Sequence, residues 1–347
     1  MGWLPRIAFL LALPLIAGCA TAAAVAPAPL VPNDVPGFLG QPMRIVVHLP
    51  PGYDPKRRYP VLYVNDGQDS EAVGLRRSLQ ELRTAKRIAP LIVVAIDMPK
   101  DRMGAYGLSD PAAARSLVGD SRFGPVGRDA HAYSEWLIGQ LVSYVDAHYA
   151  TDARPRGRAV LGWSLGGLNA FNLGWQYPDV FGTVGAFSPS FWLSAERGTP
   201  QAAQDTRLAQ RMVAAGAKRE GSRFWFEVGD AEETGDRDGD GVIDAVDDAR
   251  DLVLGYIPAS GKHQAGLVGF GYATNLGVRE VPAVGDEVAF RVLPGGEHNQ
   301  RSWARMLPEF LCWAFPPGYA MMLPSGGSTE ADLTIGGQRM CRSGQFC

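Results

Sequence analysis

Cysteine is scarce in this chain, four in 347 residues, and too thinly spread to build a disulfide scaffold. Histidine is nearly as rare, with five, which leaves few candidates for a proton-transfer role. Net charge is slight, −3, and no basic stripe marks a nucleic-acid partner. At the start, the apolar stretch from Ile7 to Ile16 is about half the roughly twenty residues a bilayer span needs. Preceded by Arg6 and followed by Ala17 and Gly18, it reads as a signal peptide over residues 1–18. No internal repeat and no motif for an organic cofactor is evident.

The run Ile16-Ala17-Gly18-Cys19 resembles a bacterial lipobox. It implies cleavage before Cys19, lipidation of its sulfur and attachment to a membrane. Ala20, where aspartate would retain a lipoprotein in the inner membrane, points to the outer membrane, facing periplasm or cell surface. Residues 19–37 are rich in Ala, Pro and Val, which suits an extended tether. Residues 38–318 are expected to form the folded domain, and 319–347 a C-terminal tail that a Cys341–Cys347 disulfide would staple. Cys312 sits in an apolar helical segment and reads as a buried, inert thiol. Apolar content of 46% and charged content of 20% are ordinary for a chain with a full core.

Periodicity predicts strands at 43–49, 59–65, 91–96, 158–163, 184–188, 223–228 and 287–293. Helices are expected at 70–86, 133–149, 165–177 and 301–315. Several of the strands are continuous apolar runs, the mark of strands buried on both faces, and the alternation implies a mostly parallel sheet with helices on both sides.

One turn in that alternation carries chemistry. Gly162-Trp163-Ser164-Leu165-Gly166-Gly167 lies between a strand and a helix, where a nucleophile elbow holds its serine on a tight turn that side chains at the glycines would block. The helix start also turns N–H groups towards a developing oxyanion. A serine hydroxyl needs a base. In an α/β-hydrolase the chain order is nucleophile, acid, histidine. His48, His131 and His148 precede Ser164 and His263 falls in a Gly-rich stretch, which leaves His298 in a turn before the last helix. The acid should follow the strand ending at Val228, where Asp230, Glu232 and Glu233 all qualify and spacing does not choose.

These residues resemble the esterase family that includes esterase D, enterobactin-type siderophore esterases, feruloyl and acetyl-xylan esterases and the mycolyltransferases. The likeness runs from about Met43 to Trp313. It rests on Val61-Leu62-Tyr63-Val64-Asn65-Asp66-Gly67-Gln68, on Arg102 with Tyr106, on Tyr149-Ala150-Thr151, and on the elbow. Pro178-Asp179-Val180-Phe181-Gly182, Ser188-Pro189-Ser190-Phe191-Trp192, Gly295-Gly296 before His298 and Trp303 after it complete the match. The resemblance implies the α/β-hydrolase fold, selects Glu232 as the acid, with Asp230 and Glu233 in reserve, and assigns the oxyanion hole to the Gln68 and Leu165 N–H groups. Asp66 and Arg102 read as turn and ion-pair residues ahead of substrate contacts, and Trp163 and Trp192 as either pocket or core.

The sequence departs from that pattern after the acid, where an insertion is expected over residues 233–281. Asp236, Asp238, Asp240, Val242 (through its carbonyl), Asp244 and Asp247 have the alternating spacing of a calcium loop, with glycine at the sharp turn and aspartate in place of the usual final glutamate. Residues 230–251 hold ten acidic and two basic side chains, a density that a structural Ca2+ would relieve. The expected activity is hydrolysis of an extracytoplasmic carboxylic ester, whether siderophore, polysaccharide acyl ester or short-chain ester, through a Ser-His-Glu triad and an acyl-enzyme. The alternatives are an acyltransferase of the same fold and a non-catalytic calcium-binding surface lipoprotein.

Overall fold

The computed structural model describes residues 28–259, 261–276 and 285–319. The signal peptide, Cys19, Cys341 and Cys347 lie outside them. Eight strands form one sheet: β1 (Ile45–His48), β2 (Val61–Asn65), β3 (Ile92–Ile96), β4 (Arg158–Trp163), β5 (Thr183–Phe187), β6 (Arg223–Gly229), β7 (Thr274–Asn275) and β8 (Val288–Leu293). Their order is β1-β3-β2-β4-β5-β6-β8-β7. Only β1 runs antiparallel, against β3; the other pairs in this sheet are parallel. The fold is that of the α/β-hydrolases.

Both faces are covered, which is why the strands read as unbroken apolar runs. On one face Leu62, Val64, Val93, Leu161, Phe187 and Trp225 pack against α1 (Leu75–Thr84) and α5 (Gln300–Ala314). On the other, Tyr63, Val94, Val160, Val184, Phe224 and Phe226 meet α2 (Ala130–His148), α3 (Leu165–Gln176) and α4 (Asp244–Leu254). Helix α2 runs from Ala130 to His148 with a π segment at Leu137–Val142. Helix α3 (Leu165–Gln176) is buried except for Gln176, so it lacks the polar stripe of a surface helix. Burying each of its Leu and Phe side chains contributes about 1.5–3 kcal/mol.

Two expectations need correction. The tether ends earlier than residue 37: Leu30 pairs with Val47, Trp136 Nε1 donates to Pro36 O (3.0 Å), and Tyr144 Oη donates to Asp34 (2.6 Å). Aromatic side chains of α2 offer donors that capture a segment whose own composition shows no reason to pack. Within the insertion, α4 (Asp244–Leu254) is a core helix. Val246, Ala249, Leu252 and Val253 are buried at helical spacing, a pattern masked in the sequence by four aspartates from Asp244 to Asp251. The helix's own Asp248 is buried with them, accepting from Arg207 Nη1 (2.7 Å) and paired with Arg237.

Candidate active site

Parallel strands deliver their carboxyl ends to one edge of the sheet, where ligands bind in open α/β folds. Three residues at or just past strand ends there, Asp66, Ser164 and Ser188, adopt positive φ without being glycine (56°, 57° and 45°). Such backbone costs about 1–3 kcal/mol each and collects at functional sites. Ser164 is the most unusual, at φ 57° and ψ −127°, the sharp turn that lifts a side chain out of a strand and into a helix. Gly162 makes the turn possible: a Cβ there would lie 2.1 Å from Gly166 O.

The turn after β2 is tied to this elbow. Asn65 Nδ2 donates to Gly166 O (2.9 Å), and Trp163 Nε1 donates to Asp69 (3.1 Å). Asp66, 1% exposed, accepts both prongs of Arg102, Nε at 2.8 Å and Nη2 at 2.7 Å. Arg102 and Asp66 are thus engaged with each other, holding the turn that presents Gln68. Among the described residues neither the Gln68 nor the Leu165 backbone N–H has an acceptor. Trp163 is core, 1% exposed and stacked on Trp303.

The strand order β5-β6-β8 brings the remaining pieces alongside. Leu293 at the end of β8 pairs with Gly229 at the end of β6, and the turn carrying His298 folds over that glycine so closely that a Cβ would lie 2.2 Å from Gly296 O. Glu232 Oε2 lies 2.8 Å from His298 Nδ1. Its other oxygen accepts from Gly229 N (2.7 Å) and Ser188 Oγ (2.5 Å), and Ser188 Oγ in turn accepts from Trp303 Nε1 (2.9 Å). The Glu232 side chain is 2% exposed and that of His298 40%. Of the three carboxylates that spacing left open, Glu232 is the one on the imidazole. Asp230 accepts instead from Gly295 N (2.7 Å), steadying the same turn, and Glu233 lies on an adjoining pocket wall, its carboxyl pushed up by burial. No hydrogen bond joins His298 to Ser164 among the described contacts; such bonds are often long until substrate tightens them.

Ser188 is the residue sequence reasoning did not single out. Its only signal was membership of the Ser188–Trp192 segment. Its function of holding Glu232 depends on Trp303 and Glu232 reaching it from 115 and 44 positions away.

The residues singled out for calcium divide in two. Asp236, Asp238 and Asp240 bring one carboxylate oxygen each within 4.8 Å of one another, and Gly241 takes a positive φ of 88°. Asp244 accepts from Arg237 N (2.8 Å), and Asp247 pairs with Arg250 (3.0 Å). The first three fit a hard cation with oxygen ligands, and Asp247 would join them only by releasing its arginine. The Asp247 carboxyl is pushed up to about 7, by burial first and then by Asp240 and Asp238 against the pull of Arg250.

A family model for esterases matches residues 37–253, more than half of the described chain. The chain belongs to the esterase family. It is similar to the uncharacterized protein YbbA of Bacillus subtilis, 28% identical over 43% of this esterase-family chain and 57% of that one. The chain thus spans little more than half the length of that curated relative. Among solved structures, a ferulic acid esterase superposes with a TM-score of 0.55 at 16% identity, covering 83% of this chain and 97% of the other. The enterobactin esterase of Shigella flexneri gives 0.55 at 16%, covering 85% and 60%. At such identities the likeness is one of fold.

Proposed function

We propose that this protein is a serine carboxylic-ester hydrolase in which Ser164 attacks the ester carbonyl, His298 takes its proton and Glu232 orients the imidazole. The observation that carries this is the 2.8 Å contact between Glu232 and His298 Nδ1, on the same sheet edge as the strained turn at Ser164. With Nδ1–H donating to Glu232, Nε2 is left free to accept the Ser164 proton and later return it to the leaving alkoxide. The tetrahedral oxyanion is received by the Gln68 and Leu165 N–H groups, each worth about 3 kcal/mol. The alkoxide departs as the alcohol, leaving an acyl-enzyme that water hydrolyses by the same proton route.

The site works outside the cytoplasm, on a membrane-attached chain lipidated at Cys19; support for this comes from the Ile16–Cys19 motif. A structural Ca2+ held first by Asp236, Asp238 and Asp240 orders the loop that follows Glu233, a reading supported by their convergence. The decisive experiment is hydrolysis of 4-nitrophenyl acetate and butyrate by the protein and by Ser164→Ala. The variant is expected to lose at least ~10³-fold in kcat with an unchanged circular dichroism spectrum; full activity in the alanine variant would overturn the assignment.

A further inference from the structure

Beside His298, on its Glu232 side, opens a cavity of about 460 Å3 whose wall includes Ser188, Trp192, Phe123, Arg122 and Arg197, within the size range of ligand sites. Two loops build that wall. Residues 119–126 form a hairpin closed by the Gly119–Val126 pair, and Asp120 N donates to Ser194 O (2.8 Å), joining it to the segment that runs from Ser188 to Arg197. Each loop carries an arginine laid over a neighbouring ring: Arg122 over Phe123, 4.7 Å from guanidinium carbon to ring centroid, and Arg197 over Trp192, 5.6 Å.

The carboxylates on the cavity wall are not paired with these two cations. Glu232 is committed to His298 and Ser188, Asp244 to Arg237, and Glu233, on the same wall, forms no ion pair with either arginine. Arg237 is itself held by Asp248. Neither Arg122 nor Arg197 has a carboxylate partner among the described residues. A guanidinium stacked on a ring keeps its planar donor edge free, and that edge matches a carboxylate or phosphate in two-pronged fashion. Phe123, 72% exposed at the cavity mouth, offers an apolar contact beside it.

We propose that Arg122 and Arg197 form an oxyanion-recognition pair that selects esters bearing a carboxylate or phosphate group over neutral ones. This rests on the Ser164 mechanism and adds the substrate class. The pair acts on binding and orientation; the ester chemistry is unchanged.

The test compares kcat/KM for mono-4-nitrophenyl succinate, which carries a carboxylate, for the 4-nitrophenyl ester of 3-phosphonopropionate, and for neutral 4-nitrophenyl butyrate. The full chain and Arg122→Ala/Arg197→Ala are assayed at low and high salt. The ratio of anionic to neutral kcat/KM should fall in the double variant by about 10- to 100-fold, the scale of charge-assisted hydrogen bonds. Salt should depress that ratio in the parent protein more than in the variant. A fall for one anion alone identifies carboxylate or phosphate as the group recognised. Arg122→Glu/Arg197→Glu should reverse the preference, favouring a 4-nitrophenyl ester with a quaternary ammonium. Binding of the succinate ester to Ser164→Ala, measured by calorimetry with and without the double substitution, reads the same interaction without turnover. Equal ratios and equal affinities in parent and variant would overturn the proposal. Retained turnover of the butyrate by Ser164→Ala would instead sink the mechanism beneath it.

Discussion

Glu232 accepts three hydrogen bonds, from Gly229 N, Ser188 Oγ and the imidazole, so its carboxylate is fixed before any substrate arrives. Glu232→Gln keeps the shape but places an amide against Nδ1, which favours the wrong tautomer. We expect kcat for 4-nitrophenyl butyrate to fall by ~10³–10⁴-fold, as for the equivalent change in other triads, with little change in thermal midpoint. A second buried acid bears on stability. Glu227, 5% exposed beneath the site with Trp225 Nε1 donating to it at 3.1 Å, is pushed up to about 7 by burial. A folded-state value above the unfolded one means that the native state binds more protons between about pH 4.5 and 7. Stability is therefore greatest below that window and falls as pH rises through it, by up to about 3 kcal/mol from this group. Urea titrations of Glu227→Gln should show a flatter loss of stability from pH 5 to 8 than the parent protein; identical slopes would remove Glu227 as the cause.

At the scale of elements, the site is a set of strand ends held in register. The close passage of the His298 turn over Gly229 sets the distance between Glu232 and His298, because β6 and β8 pair through to Gly229 and Leu293. Gly229→Ala would drive a methyl group to 2.2 Å from Gly296 O and lift the turn away from Glu232. Displacement of about 1 Å in a catalytic geometry costs on the order of 10²-fold. We expect a loss of that order in kcat for 4-nitrophenyl esters with the far-ultraviolet spectrum unchanged. Helix α4 belongs to the same set, since its buried Asp248 holds Arg237 on the wall of the cavity beside His298. Its core role escaped a reading based on charge because four aspartates are interspersed with the apolar residues, and two of them, Asp247 and Asp248, are themselves buried.

For the whole molecule, the uneven distribution of charge is the governing feature. Residues 230–251 carry −8 while the rest of the chain carries +5; Arg237 and Arg250 are already counted in that −8, and Arg207 meets part of it from outside the segment. If Ca2+ meets the remainder at Asp236, Asp238 and Asp240, millimolar calcium should raise the thermal midpoint by several degrees over a chelator-treated sample, through preferential binding to the native state. Asp236→Asn/Asp238→Asn should abolish the difference. An unchanged midpoint in the parent protein would show that the loop is simply a solvated acidic turn.

Much of this architecture is legible without a structure, because it is local. The buried strands betray themselves as apolar runs, the elbow as a strand, a glycine-flanked serine and a helix, and His298 as a histidine in a glycine-bearing turn before a final amphipathic helix. Each depends on residues within a few positions of one another, where backbone sterics and periodicity act. Which of Asp230, Glu232 and Glu233 meets the imidazole, that Ser188 and Trp303 brace it, and that two arginines face a cavity beside it depend on strand order. Those contacts join residues 44 to 115 positions apart in the chain. They exist only because a twisted parallel sheet gathers its carboxyl ends at one edge, a relation between elements that no window along the chain contains.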